Sequence, residues 1–576
     1  MLKKLYSTLL LMLIVVSAAH AQITTSGING KVLADGEVIP GATVTAKHVP
    51  SCTVYHAVSN ANGFFALDNL RAGGPYEVEI SYLGYQNKRF TNLQLTLGQA
   101  AELSVELHED ARMLKEIEIV STGRSNMRTD RAGAVMSVNS DEIEFIPTVS
   151  RSLNDVMRLT PTGLNTVNGF SVGGGNYRQN FITVDGASFN NLFGIGQNLP
   201  ANGTPISLDA IEQLTVSTSP FDVRQNGFTG AAVNAVTKSG TNEYKGSAYI
   251  HTTNVHLRGN KVGDVELMRT ANHATTYGMT LGGPVIKDKV FLFVNGEYDD
   301  IVSAGPTAVA RQSADGPWGA KTGVVHRPTV AQMNEISSYL VSKYGYNPGA
   351  YEGYSYDSPA YRLIARLDWN INDANRVNVR FSHTQQKESK PLSTSVSPLT
   401  DTGVYPGGPD GTAGRSGSGR GAYAALTFKN SNYSQAYYFT SVAGEWTARL
   451  TNSLGNMLRI TYTNQDEPRE YDGGDFPLVD ILENGSVLAS FGTDLFSKGN
   501  VRQVKSFVAT DELTYAAGLH KMLLGLQFES NVATNGYHLI RTAIERYIRW
   551  LVNDYLIVAD DNGIGSAKVH RYLLNE

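Results

Sequence analysis

Cysteine is nearly absent. Cys52 is the single one in 576 residues, so no internal disulfide can form and no Cys-x-x-Cys metal or redox pair exists. It reads as a small buried side chain. Charge is also scarce: Asp, Glu, Lys and Arg make up 18%, against ~25% in soluble chains, which argues against an ordinary charged, soluble surface. The formal net charge of -5 shows no basic excess, so no nucleic acid partner is expected. Beyond the first residues no run of ~20 apolar residues occurs, which excludes a helical membrane protein. A membrane β-barrel is not excluded, because its strands alternate and never look continuously apolar. Catalytic constellations are missing too. There is no nucleophile elbow and no His-Glu-x-x-His, so neither an enzyme nor a bound metal or cofactor is expected. His251 and His256, five apart on an expected strand, would fall on opposite faces and could not share a metal. Glycines 173–175 lack the Gly-Lys-Ser/Thr ending that a phosphate loop needs.

What is present points to mainly β structure. Gly reaches 57 residues and Tyr 29, a balance that suits turn-rich sheet with interfacial aromatics. Residues 1–21 read as a secretory signal, with basic Lys3 and Lys4, an apolar stretch from Leu5 to Val16 too short to span, and an Ala19-His20-Ala21 cleavage site. Residues 22–110 read as a small β-sandwich. Alternating segments such as Thr43–Ala46, Tyr76–Ile80 and Leu103–Leu107 lie between turn pairs such as Pro40-Gly41 and Asn62-Gly63. Residues 111–123 follow as a linker around a β-prone strip, Glu116, Ile117, Glu118, Ile119 and Val120. It is either the last strand of the sandwich or an exposed strip that can add to a partner's sheet.

From 243 to 536 the pattern becomes long hairpins. Leu363, Ala365, Leu367 and Trp369 share one face, with Arg362, Arg366 and Asp368 on the other. After a turn near Asn372-Asp373, Val377, Val379 and Phe381 alternate with Asn378, Arg380 and Ser382. Val442 and Trp446 oppose Glu445 and Thr447, and Leu458, Ile460 and Tyr462 alternate with Arg459, Thr461 and Thr463. Very short turns alternate with long connections at 300–359, where a helix is expected near Val330 to Tyr344, and at 386–433. That argues for a membrane barrel with a polar lumen rather than a soluble sandwich. Residues 537–576 form an atypical tail: Ile540, Ile544, Tyr547, Leu551 and Tyr555 recur at helical spacing.

Three blocks between 124 and 242 carry a resemblance. The first is Ser152-Leu-Asn-Asp-Val-Met-Arg-Leu-Thr-Pro-Thr-Gly-Leu, in which Ser152 can cap a short helix with Leu153, Val156 and Leu159 on its apolar stripe. The second runs from Ser171 to Gly186 and includes Gly173, Gly174, Arg178, Asp185 and Gly186. The third, Gly227-Phe-Thr-Gly-Ala-Ala-Val-Asn-Ala-Val-Thr-Lys, ends at Lys238. In this order they closely resemble the plug domain of TonB-dependent outer-membrane receptors. Tyr277 to Phe293 resembles the early barrel of the Oar-like branch of that family. Pro40-Gly-Ala-Thr-Val44, Asn62-Gly-Phe-Phe65 and Tyr82-Leu-Gly-Tyr85 resemble the carboxypeptidase regulatory-like domain, which has a carbohydrate-binding-like fold and is often found ahead of receptors in Bacteroidetes-type bacteria.

The resemblance implies an incomplete transmembrane antiparallel β-barrel, an α+β plug and an N-terminal sandwich, sited in the cell outer membrane after signal cleavage. It also implies uptake of a ligand from outside the cell, whether peptide, glycan or chelate, driven by a TonB complex that grips residues 116–120 in the periplasm. A surface adhesin or a secretion-related barrel is the alternative. The sandwich is expected to serve structure or docking rather than sugar binding. A plugged barrel of the family has ~22 strands. Only about nine or ten fit here. The last residues, Asn575-Glu576, are not the terminal aromatic usual in such barrels. A truncated or frameshifted product after about Gly536 is therefore expected, with a genuine shorter protein as the alternative.

Overall fold

The computed structural model describes residues 23–536 except 110–116, 121–127, 130–134, 394–419 and short stretches at 149–150, 194–195, 221, 226, 258, 267–271, 421–422, 472, 475, 484–485, 495–499 and 519. The signal segment and the helical-period tail lie outside the described residues.

Alternating apolar residues build the N-terminal sandwich. One sheet centres on β1 (Thr25–Ala34). The other runs through β2 (Thr43–His48), β3 (Thr53–Val58), β5 (Gly73–Ser81) and β6 (Lys88–Leu95), while β4 (Phe64–Arg71) pairs with β1. Ile28, Val32, Val44, Phe65, Leu70, Val78 and Ile80 fill the space between the sheets. The strip Ile117–Val120 is not a bare linker. It forms β7, parallel to Lys88–Thr91 of β6, at the edge of the second sheet.

The segment read from the sequence as a plug, and called the plug below, forms a sheet in the order β8 (Val135–Asn139), β10 (Ile211–Ser217), β11 (Ala232–Thr237), β9 (Phe181–Val184), with Ala187–Ser188 turning back on β9. Helix α1 (Ser140–Phe145) starts at a capping box of Asn139 and Glu142, and α2 (Leu153–Met157) at one of Ser152 and Asp155. Leu153 and Val156 are buried as the spacing predicts, but Leu159 is exposed. The helix stops at Met157, so Leu159 rotates off the stripe and Met157 takes its place in the core.

Among the described residues, nine long strands then run as an antiparallel meander. They are β12 (Lys245–Asn254), β13 (His273–Ile286), β14 (Val290–Ala304), β15 (Ala360–Asn372), β16 (Asn375–Lys390), β17 (Tyr433–Arg449), β18 (Leu454–Asp466), β19 (Val501–Ala517) and β20 (His520–Gly536). His251 lies on β12, but His256 falls in the turn after it, so the opposite-face argument does not apply to that pair. Each strand pairs with its sequence neighbours, and β12 and β20 are not paired with each other.

This wall is polar inside and apolar outside. Arg380 and Arg459 are among the largest fully buried side chains, whereas Leu363, Leu367, Val379, Phe381 and Ile460 are exposed. A soluble sheet would reverse that order. The exposed face carries aromatics at two levels. Tyr277, Tyr298 and Tyr361 form one row, with ring centroids 6.3 and 4.7 Å apart. Trp369, Trp446 and Tyr515 form the other. Tyr361 and Trp369 are eight residues apart on β15, about 27 Å along the strand and about 21 Å across a sheet tilted by ~40°. That is close to the ~25 Å apolar band of outer-membrane barrels.

The described parts of the long connections pack together. Helix α3 (Val330–Tyr344), as expected from the sequence, ends at a left-handed Gly345 and buries Met333, Ile336 and Leu340. Phe428, Ile481, Leu488 and Phe491 from two other connections complete that core, and Tyr346 stacks on Phe476 at 3.9 Å. Arg420 pairs with Asp480 at 2.7 Å. Three connections thus fold together as a cap at the long-loop end, while the sandwich covers the short-turn end.

Candidate functional site at the plug and barrel wall

Asp185 and Gly186 form a two-residue hairpin turn, with Thr183 opposite Ser188 and Val184 opposite Ala187. Both central residues have positive φ, 46° and 74°. Asp-Gly suits such a turn because Asp tolerates the left-handed region and Gly has no Cβ to clash. A Cβ at Gly186 would meet Arg459 Cδ at 2.5 Å, so glycine also permits the close approach to β18.

The turn delivers the Asp185 carboxylate, 7% exposed, to the wall. It accepts hydrogen bonds from the Thr237 amide at 3.0 Å and the Thr237 hydroxyl at 2.8 Å. The Arg366 guanidinium on β15 lies 3.2 Å away, and Arg380 Nε on β16 lies 3.0 Å away. Arg366 also pairs with Asp368 at 3.0 Å, and Asp368 with Arg71 of the sandwich at 2.8 Å. Charges therefore alternate along one line: Arg380, Asp185, Arg366, Asp368, Arg71. Burying any one alone would be costly, and each is offset by its neighbour.

A second cluster sits higher on the wall. Arg362 holds Glu297 at 2.6 Å and Asp299 at 2.7 Å, and donates to the Thr204 carbonyl of the plug at 2.8 Å. Ser207 of the plug donates to Glu297 at 2.8 Å. Apolar contact between plug and wall runs through Phe293, Ile364, Phe439 and Ala443, with Phe189 edge-on to Phe439 at 4.8 Å.

Of the residues that carry the plug resemblance, the structure brings Asp185 and Gly186 into this site. Lys238 follows Thr237, its amide donating to Ala210 at 2.8 Å, and its side chain lines a polar cavity of about 1360 Å³. Glu212 lines the same cavity, where burial pushes its carboxyl above the usual range and Lys238 and Arg71 pull it partly back. Gly173 and Gly174 stand apart, in an exposed turn with φ of 64° and 78°, and Arg178 lies over the Tyr177 ring. In the coupling strip Glu116 is outside the described residues, while Ile117, Glu118, Ile119 and Val120 are the edge strand β7. Sequence reasoning missed Arg71 altogether. It saw Arg366, Asp368 and Arg380 only as a polar face, although charges on the inward face of an alternating strand are a signal for an inward partner.

Residues 236–539 match the family described as the outer membrane beta barrel domain. The chain belongs to that family. Residues 27–108 match the carboxypeptidase regulatory-like domain. The chain is 28% identical over 301 residues to the TonB-dependent transporter Oar of Myxococcus xanthus, covering 48% of this chain and 27% of that protein. It is 31% identical over 135 residues to the TonB-dependent receptor P26 of Formosa agariphila, covering 23% of this chain and 12% of that one. The solved outer membrane transporter YddB of Escherichia coli is 13% identical, with a TM-score of 0.47, covering 69% of this chain and 48% of that one. The chain thus spans well under two thirds of each of these proteins. As a member of this outer-membrane family, the chain resides in the outer membrane.

Proposed function

We propose that the protein is a TonB-dependent receptor that takes up a ligand from outside the cell and is not an enzyme. The observation that carries this is the way the plug is held. The inner segment is seated on the polar face of the wall and meets it through ion pairs and hydrogen bonds beside an apolar patch. Charged groups regain hydration when such contacts open, so a polar interface separates at lower cost than a continuous apolar core.

The ligand, a peptide, glycan or chelate, binds at the cap and the upper surface of the plug. To send a signal it must bind the two plug states with different affinity. The strip at residues 116–120 then serves as the handle. Ile117–Val120 is already extended in β7, and among the described residues no strand pairs with its outer edge, the geometry that accepts a strand from a partner. TonB adds there and pulls, loosening the plug.

Deletion of residues 116–120 tests this. Labelled peptide, glycan and ferric-chelate probes are offered to cells with and without a working TonB system. Deletion should abolish uptake and leave surface binding intact. Uptake that survives both the deletion and loss of TonB would overturn the reading. An adhesin would bind without any uptake.

A further inference from the structure

The sandwich is seated on the barrel rather than tethered to it. Asn60 Nδ2 donates to the Gly518 carbonyl at 2.6 Å, and Arg449 donates to the His56 carbonyl at 3.0 Å. Arg376 donates to the Val54 carbonyl at 2.6 Å and stacks over Tyr55 at 4.0 Å. Asn370 Nδ2 reaches Thr53 Oγ1 at 2.9 Å, and Lys521 pairs with Asp68. These partners come from three of the four short turns and the strand ends beside them. The sandwich also grips the plug: the Leu97 amide donates to Gln213 at 2.8 Å. Ile23, Ala72 and Leu97 form a small apolar cluster with Val236. The cavity of about 1360 Å³ is lined by residues of all three parts.

Arg71 joins these contacts to the charge line. Besides Asp368 it donates to Ser239 Oγ at 3.0 Å, and that hydroxyl donates to Asp368 at 2.6 Å. Ser239 lies two residues past Thr237, the plug residue that holds Asp185. Arg71 therefore ends a route that runs from the sandwich, through one wall strand, to the turn that anchors the plug.

We propose that the N-terminal sandwich is a second stopper at the short-turn mouth, and that Arg71 is a positioning residue coupling its docking to the hold on the plug. Undocking the sandwich and loosening the plug are then one event. This goes beyond the transport reading and does not need it: a seated sandwich would lock the plug in an adhesin too.

The test has two arms in outer membranes carrying the full chain. In a Cys52→Ser background, Asp68→Cys and Lys521→Cys are treated with a short bismaleimide, and the chain is cleaved by protease within residues 111–134. The fragments should stay joined. Separate fragments, with both thiols reactive to a monofunctional maleimide, would overturn the docking. In the second arm, hydrogen exchange is compared for Arg71→Ala, Arg71→Lys and the unsubstituted chain. Arg71→Ala should speed exchange in Phe181–Val184 and Ala232–Thr237 by about tenfold or more, Arg71→Lys should restore part of it, and Tyr76–Ile80 should not change. Unchanged plug exchange, or equal loss of protection in the sandwich core, would overturn the coupling. Neither arm involves uptake, so failure of the transport reading leaves both results standing.

Discussion

Replacing Asp185 by Asn isolates the charge from the shape. Asn tolerates the left-handed φ of 46° and keeps an oxygen for the Thr237 amide, so the turn should still form. The negative charge between Arg366 and Arg380 is lost. Both guanidiniums then remain in a wall where Arg380 is 1% exposed, and only Asp368 pairs directly with one of them. Removing one partner of a buried pair costs about 3–5 kcal/mol, because the other charge is left uncompensated. If the loss falls on plug opening, exchange of the β9 and β11 amides should rise roughly a hundred- to several thousandfold, since each ~1.4 kcal/mol is tenfold. Hydrogen exchange with mass spectrometry, at a pH where exchange is limited by the opening equilibrium, reads that directly. Adding Arg380→Gln removes the stranded charge, so the double variant should be less affected than the sum of the two single ones. Plug exchange unchanged in Asp185→Asn would refute the idea that this charge line holds the plug.

Gly186→Ala should destabilise the plug by about 1–3 kcal/mol in denaturant titration, from positive φ and the contact with Arg459. Leu367→Arg, on the lipid face, should cost about 2–4 kcal/mol in barrel refolding into vesicles, measured by the heat-modified shift in electrophoretic mobility. His48 is buried beside Ser51 and Tyr76, and burial, with a further push from Arg71, lowers its pKa to about 3. The unfolded chain binds the extra proton first, so the stability that neutral His48 confers is full above pH ~6.5. It falls as pH drops toward about 3. The slope should approach 1.4 kcal/mol per unit, about one pKa unit's worth, and His48→Asn should flatten it in limited proteolysis of the sandwich.

Much of this architecture is legible locally. Strand β15 announces itself because apolar and charged residues alternate over Arg362 to Trp369, and α3 because its apolar residues recur at helical spacing before Gly345. The Asp-Gly turn is legible for the same reason, as two residues suffice to specify it. What escapes is pairing at a distance. Arg71 and Asp368 are 297 residues apart, and nothing near either names the other. The cap core gathers Met333, Phe428 and Phe491 from three connections, and although the helix around Met333 is legible by itself, nothing in the sequence names its partners. The strip at Ile117–Val120 has the composition of a strand, but whether it pairs with its own sandwich or with a partner depends on which edge is free. The inward charges of β15 and β16 were visible as a polar face, and only the plug's position turns that face into a site.

On the proposed reading, residues beyond about 243 face lipid on one side and a plug on the other. Trp369 and Trp446 sit on the outer face at the short-turn end. With Trp318 and Trp550 replaced by Phe, the emission of the remaining two reports on that face alone. Lipids brominated on the upper acyl chain should quench this emission, and aqueous iodide should quench it little. A protein that stays in solution without detergent, with both tryptophans quenched by iodide and untouched by brominated lipid, would contradict it.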